Sequence, residues 1–114
     1  MGFFDLFRRP DINAGVEKFR STPGAVLLDV RDDTEFLGGH IPGSMNIPID
    51  RIGTVKEKIK DRETHVFTYC LGGHRSGQAA RALKAMGYKN VVCIGGVTRY
   101  EGELERGSWN GKYR

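Results

Sequence analysis

The chain has little of what marks several large classes of proteins. Among its 114 residues it has only two cysteines, Cys70 and Cys93, and because they lie far apart we expect no disulfide framework. No apolar run approaches the ~18 residues of a membrane-spanning helix, so we expect no transmembrane segment. The first nine residues do not follow the pattern of a secretory signal peptide. A cytoplasmic location is therefore the expectation.

An excess of charge of one sign is also missing from most of the chain. The net charge is +4, but residues 11–105 carry equal numbers of acidic and basic side chains, so the excess lies at the two ends. Nucleic-acid binding would need a basic stripe on the folded domain. We therefore expect no nucleic-acid partner.

The length suits one domain. We divide the chain into an apolar and basic N-terminal lead (residues 1–10), one domain (residues 11–105) and a polar C-terminal tail (residues 106–114). The lead contains Phe3, Phe4, Leu6 and Phe7. These side chains either cover an edge of the domain, which we favour, or anchor the chain to a membrane or a partner. Oligomeric state has no signature in the sequence.

Apolar runs alternate with helical patterns along the domain. Strands are predicted over residues 25–30, 45–47, 65–69 and 90–94, and the continuous apolar runs are typical of strands buried on both faces. Helices are predicted over residues 12–20, 51–61, 78–86 and 98–105, with one more helical turn capped by Asp32 or Asp33. This alternation predicts an α/β sandwich, with a mostly parallel central sheet and helices on both faces.

One cysteine lies where a predicted strand meets a predicted helix. Backbone N–H groups at the start of a helix have no partner within it and, with the helix dipole, form a socket for an anion. The thiolate is the reactive form of cysteine, and such a position favours it. Cys70 is therefore the candidate nucleophile, and a buried structural cysteine is the alternative. The candidate binding loop comprises Leu71, Gly72, Gly73, His74, Arg75 and Ser76.

Two further residues have competing interpretations. His40 lies in the glycine-rich run GGHIPGS, and it is either a general base towards Cys70 or part of a rigid turn, which we favour. Cys93 lies inside a predicted strand, where it is most simply a core thiol. A role as the resolving partner of Cys70 is the alternative.

Three stretches in the same order resemble the rhodanese family: residues 28–48 (LDVRDDTEFLGGHIPGSMNIP), residues 70–76 (CLGGHRS) and residues 87–97 (GYKNVVCIGGV). The resemblance implies a rhodanese-like three-layer sandwich and a single-domain sulfurtransferase. Cys70 would take a sulfane sulfur from a donor such as thiosulfate, hold it as a persulfide and pass it to cyanide or a thiol. The loop amides from Leu71 to Ser76 would cradle the persulfide. No metal or organic cofactor is implied, and the partners would be the small-molecule donor and acceptor or a thiol protein.

The chain departs from the family pattern at two points. Tyr100 stands where the third stretch often ends in tryptophan, and Arg75 is the only permanently charged side chain of the loop, which leaves the donor open. A cysteine phosphatase is a competing interpretation, but its loops are commonly Cys-x5-Arg, and here four residues separate Cys70 from Arg75. A non-catalytic module that relays sulfur to a protein partner is a second alternative.

Overall fold

The computed structural model describes residues 10–108, in which strands and helices alternate as predicted. The N-terminal lead up to residue 9, and the predicted polar tail from residue 109 onward, lie outside this range. In chain order the elements are α1 (Ile12–Arg20), β1 (Val26–Asp29), α2 (Asp33–Gly38), β2 (Ser44–Asn46), a 3-10 helix (Ile49–Thr54), α3 (Val55–Lys58), β3 (His65–Cys70), α4 (His74–Ala85), β4 (Asn90–Gly96) and a second 3-10 helix (Val97–Arg99).

The four strands form a parallel sheet in the order β2-β1-β3-β4. Parallel strands end at the same edge, which is where sites form in open α/β sheets. The register pairs Asp29 with Tyr69, and Cys70 with Gly96. The carboxyl ends of β1, β3 and β4 therefore meet around Cys70.

Helices cover both faces of the sheet, and each face has its own apolar cluster. The clusters confirm the predicted α/β sandwich. No helix within residues 10–108 combines the length and apolar character needed to cross a bilayer. On one side α1 packs through Ile12 and Val16 against Leu27, Phe67, Tyr69 and Ile94; on the other, α3 and α4 contribute Val55, Ala79, Ala80 and Leu83.

Two predicted helices are much shorter in the structure. Residues 51–58 form the end of a 3-10 helix followed by only four α-helical residues, and residues 59–61 are not helical. Arg51 leaves helical geometry, and Gly53 and Thr54, two and three residues later, are poor helix formers. Residues 98–105 are helical only as far as Arg99. Tyr100 is extended, and the backbone of Glu105 exchanges two hydrogen bonds of 2.8 Å with His40 instead.

Candidate active site around Cys70

The loop after Cys70 is shorter than the sequence predicts, because the following helix begins earlier. β3 ends at Cys70, and α4 begins at His74 rather than at residue 78. Gly73 has a φ of +109°, a left-handed conformation that glycine adopts without the steric cost of a Cβ, so the chain passes directly from strand to helix. The predicted loop residues therefore divide into a turn (Leu71, Gly72 and Gly73) and the first turn of α4 (His74, Arg75 and Ser76).

The Cys70 sulfur accepts two backbone hydrogen bonds from this turn. Its Sγ lies 3.0 Å from the backbone nitrogen of Gly73 and 3.3 Å from that of Ser76, and both N–H groups donate to it. Cys70 is 1% exposed, so water competes little for these contacts. Hydrogen bonds to a charged form favour that form, and the start of α4 adds the positive end of a helix dipole. The arrangement therefore supports negative charge on this sulfur.

The Ser76 hydroxyl connects Cys70 to the second cysteine. Ser76 Oγ lies 3.4 Å from the Cys70 Sγ, which donates to it, and 3.2 Å from the Cys93 Sγ. The same hydroxyl is within donating distance of the carbonyl oxygens of Gly73 (3.0 Å) and Gly95 (3.3 Å). Both cysteines are free thiols, and Cys93 packs against the core as predicted. A resolving role for Cys93 stays a prediction.

The guanidinium of Arg75 is paired with a carboxylate and not with the Cys70 sulfur. This guanidinium binds both carboxylate oxygens of Glu35, on α2, at 2.8 and 3.1 Å. Hydrogen bonds from Arg75 hold the pKa of Glu35 below its ordinary value, and the Glu35 carboxylate raises the pKa of Arg75. A cysteine phosphatase would need this arginine to bind the substrate phosphate. The pairing with Glu35 therefore argues against that interpretation and ties α4 to α2.

The end of β4 supports the loop from the other side. The backbone N–H of Thr98 donates to the carbonyl of Leu71 at 3.2 Å. A Cβ added at Gly96 would lie 2.6 Å from the Cα of Gly72 and would also meet the Leu71 carbonyl oxygen. Only glycine leaves room for the loop at this position. The Gly95-Gly96 pair of the third rhodanese-like stretch therefore has a packing role next to Cys70.

A cavity of about 310 Å³ adjoins the loop, lined by Pro10, Gly72, Gly73, Gly95, Gly96 and Arg99. A larger cavity of about 650 Å³ lies between α1, α4 and the edge strand β4, and no residue of the Cys70 loop lines it. The smaller cavity is therefore the one relevant to Cys70 chemistry. Within residues 10–108, no three His, Cys, Asp or Glu side chains are grouped as metal ligands would be.

His40 has a structural role, as favoured from the sequence. It is buried, stacks on the ring of Phe36 with centroids 3.7 Å apart, and its Nδ1 lies 2.9 Å from the Phe36 carbonyl oxygen. Its Nε2 lies 3.7 Å from a carboxylate oxygen of Glu105. Both ring nitrogens face these groups, and neither is hydrogen-bonded to Cys70, so the contacts support the role in a rigid turn over that of a general base.

The Asp29 and Arg31 side chains, also at the carboxyl edge of the sheet, are buried against each other. The guanidinium donates to both carboxylate oxygens at 2.7 to 3.1 Å, and to the carbonyl of Gly39 at 2.8 Å. Burial alone would lower the pKa of Arg31, but the hydrogen bond and charge of Asp29 raise it. This pair holds the glycine-rich turn before β2 and does not reach Cys70.

Comparison with known proteins agrees with this geometry. Residues 14–103 match the family model of the rhodanese-like domain. The chain belongs to the rhodanese-like family. A solved structure described as a rhodanese with anions from E. coli is 30% identical and superposes with a TM-score of 0.68, over 73% of this chain and 99% of that one. The rhodanese-like fold expected from the three stretches is therefore confirmed.

Relatives of this rhodanese-like domain include proteins of different names. Protein YqhL of Bacillus subtilis is 37% identical over 71% of this chain and 64% of its own length. Thiosulfate sulfurtransferase PspE of Escherichia coli is 38% identical over 61% of this chain and 68% of its own length. Other relatives are named tRNA uridine(34) hydroxylase. The chain spans only 25–64% of three relatives, YqhL among them, so family membership alone does not assign a reaction.

Sequence reasoning missed two contributions to the site. Glu35 belongs to the first rhodanese-like stretch, but the sequence predicted no role for it. It lies 40 residues before Arg75, and this spacing does not indicate an ion pair between the two side chains. Arg99 was visible only as a residue before Tyr100, and it lines the cavity beside the loop. The Glu35–Arg75 ion pair and the position of Arg99 beside the loop both depend on how separate βα units pack against each other. A sequence pattern does not predict this packing.

Proposed function

We propose that this rhodanese-like domain is a sulfurtransferase that carries sulfane sulfur as a persulfide on Cys70. The observation that carries the proposal is the pair of backbone N–H groups, from Gly73 and Ser76, that donate to the Cys70 Sγ. The sulfurtransferase name of the relative PspE supports it. Thiosulfate is the proposed donor, and cyanide or a thiol the acceptor. A reducing compartment such as the cytoplasm would keep both cysteines free.

The reaction has two half-reactions that meet at one sulfur atom. The Cys70 thiolate attacks the sulfane sulfur of thiosulfate, a new S–S bond forms, and the old S–S bond breaks with its electron pair leaving on sulfite. The acceptor, for example cyanide, then attacks the outer sulfur of the persulfide. Thiocyanate leaves, and the electron pair of the S–S bond returns to Cys70 as a thiolate. A covalent intermediate between two substrates predicts ping-pong kinetics.

The loop suits this chemistry because a persulfide keeps a negative charge between the two steps. Backbone N–H groups fixed before the donor arrives stabilise such a charge without reorganisation. The turn contains only Leu71, Gly72 and Gly73, and a ring of amides this small fits one sulfur better than a tetrahedral phosphate. His74, Arg75 and Ser76 extend the same ring as the first turn of α4.

The mass of the intact protein after treatment with thiosulfate tests the proposal. Wild type should gain one sulfur, lose it on addition of cyanide, and release thiocyanate. Cys70→Ser should gain none. Cys93→Ser, which removes the other thiol and keeps Cys70, should still load.

Failure of wild type to gain sulfur, or equal loading of Cys70→Ser, would contradict the persulfide proposal. Loading with negligible thiocyanate release would assign the domain to protein-to-protein relay instead of small-molecule turnover. Hydrolysis of phosphate esters without sulfur transfer would favour the phosphatase alternative.

A further inference from the structure

Strand β4 forms one edge of the sheet. Within residues 10–108 it pairs with β3 on one side, and no strand pairs with its outer side. Backbone N–H and C=O groups on such an edge are able to pair with another chain. Pro10 covers the carboxyl end of β4, where a Cβ added at Gly95 would lie 3.3 Å from its carbonyl oxygen. The open part of the edge therefore runs from Asn90 to Ile94.

A groove with an apolar floor follows this open edge. It is the cavity of about 650 Å³ beside β4, and it contains Val92, an apolar side chain that is 51% exposed. Phe67, which is paired with Val92 on β3, and Ile94 form the floor beside it. Helix α1 closes one side, because Gly15 lets it pack directly on Ile94. The groove thus offers apolar contacts next to free backbone groups.

Two lysines from helices on opposite faces of the sheet border the groove. Lys18 lies in the last turn of α1 and Lys84 in the last turn of α4, and both are exposed and line the cavity. No carboxylate within residues 10–108 forms an ion pair with either amine. A third lysine of the groove, Lys89, is paired with Glu63 at 3.4 Å. The open edge therefore lies between two cations that are not neutralised by the described residues.

We propose that this groove binds an extended acidic segment of a partner protein, which adds to the sheet as a strand beside β4. The backbone of the segment pairs with the free N–H and C=O groups of β4, and its side chains point alternately to the two faces of the sheet. An apolar side chain contacts Val92, and acidic side chains reach Lys18 on one face and Lys84 on the other. Opposite charges across the interface speed association and select the partner.

The charges of the groove decide against two other occupants. A second copy of the chain, related by a two-fold axis, would place the same surface against itself, so that lysines would face lysines. Residues 1–9 contain Arg8 and Arg9 but only one acidic residue, Asp5, so the N-terminal lead is also positively charged. Lysines at a sheet edge discourage pairing between copies of one protein. The same lysines attract an acidic segment.

The test uses a capped six-residue peptide of alternating glutamate and valine, and a lysine–valine peptide of the same length as the control probe. Each peptide is titrated at low salt into the isotope-labelled full chain, and the backbone amide signals are followed by NMR. The glutamate–valine peptide should shift the signals of residues 90–94 and slow hydrogen exchange of the β4 amides that are not bonded to β3. The lysine–valine peptide should do neither, and added salt should weaken the binding.

A pair of double variants tests the two cations. Lys18→Gln combined with Lys84→Gln should raise the Kd of the glutamate–valine peptide about tenfold, because each exposed ion pair contributes about threefold. Lys56→Gln combined with Lys60→Gln is the matched control, since it makes the same change of charge at exposed positions that do not line the groove. The control should bind the peptide with the wild-type Kd.

Failure of the wild-type chain to bind the glutamate–valine peptide, or an equal Kd for the two double variants, would overturn the proposal. Outward β4 amides that are already protected in the free monomer would assign the edge to residues 1–9 of the same chain. Protection that increases with protein concentration would assign it to a second copy, and either result would also overturn the proposal. No residue of the Cys70 loop lines the groove, so these outcomes are independent of sulfur loading.

Discussion

Replacing Gly96 with alanine should damage sulfur transfer far more than it damages folding. Gly96 is not in the Cys70 loop, but the loop rests on it. A Cβ there would lie 2.6 Å from the Cα of Gly72, against the 3.4–4 Å of ordinary contact, and would also meet the Leu71 carbonyl. Both neighbours are backbone atoms, so no side chain can rotate away. The loop must move by most of an ångström.

That movement changes the geometry at the sulfur. The Gly73 N–H donates to Cys70 from 3.0 Å, and a shift of its neighbour Gly72 of nearly 1 Å would weaken this bond. A misplacement of about 1 Å in a reacting group can lower the rate about a hundredfold. The overpacking itself should lower the free energy of unfolding by about 1–3 kcal/mol, which a folded domain of this size can survive.

The assay is single-turnover loading of Cys70 by thiosulfate, followed by mass, beside urea denaturation of the same samples. Gly53→Ala is the control, since a Cβ at Gly53 meets nothing within 4 Å and its backbone needs no positive φ. We expect a loading rate roughly a hundredfold lower in Gly96→Ala and unchanged in Gly53→Ala. Equal loading rates in the two folded variants would refute the claim that β4 positions the loop.

Two further substitutions test ion pairs near the site. Glu35→Gln should lower the free energy of unfolding by about 1 kcal/mol at pH 7, because it removes a partly buried bidentate partner of Arg75. Hydrogen bonds from Arg75 lower the folded-state pKa of Glu35, so the stabilisation is present above the unfolded-state pKa of this carboxyl and is lost as the pH falls through the folded-state pKa. Urea denaturation curves of the variant and of wild type should therefore converge in acid, once Glu35 is protonated in both the folded and the unfolded protein. Asp29→Asn should cost about 3 kcal/mol in the same measurement, because it leaves the charge of Arg31 buried without a carboxylate. A loss below about 1 kcal/mol would contradict that account.

Much of the fold follows from local patterns in the sequence. The helix at Ile12–Arg20 begins after Asp11, whose carboxylate accepts the N–H groups of Asn13 and Ala14 as an N-cap should. The strands followed from apolar runs long enough to be buried on both faces. Alternation of strands and helices was then sufficient to predict the parallel sheet. These features depend on residues close together in the chain.

The features that the sequence did not predict depend on neighbours far along the chain. In residues 98–105 only Gly102 is a poor helix former, but Tyr100 is extended and Glu105 pairs with His40, so the segment leaves the helix. Glu35 and Arg99 meet the site only because β1, β3 and β4 end side by side. The sequence motif predicted the Cys70 loop, because it contains the loop residues. It did not predict the contacts that hold the loop in place, because these come from residues outside the motif, such as Glu35 and Thr98.

Among residues 10–108, no His, Asp or Glu side chain is hydrogen-bonded to the Cys70 sulfur, and the contacts that fix the loop explain how the proposed chemistry can proceed without a general base. Three contacts fix the loop: Thr98 N–H binds Leu71, the Arg75–Glu35 pair ties α4 to α2, and the Thr68 hydroxyl donates to the Ser76 carbonyl at 2.9 Å. Because the backbone is fixed, the N–H groups already face the sulfur when a donor arrives. The same N–H groups can then stabilise the negative charge of the thiolate and that of the persulfide. A base would serve only one of the two half-reactions, because the persulfide needs no proton removed. A site that must hold an anion at both stages is better served by rigid amides, and the glycines at positions 73 and 96 are what allow them to be placed so close to Cys70.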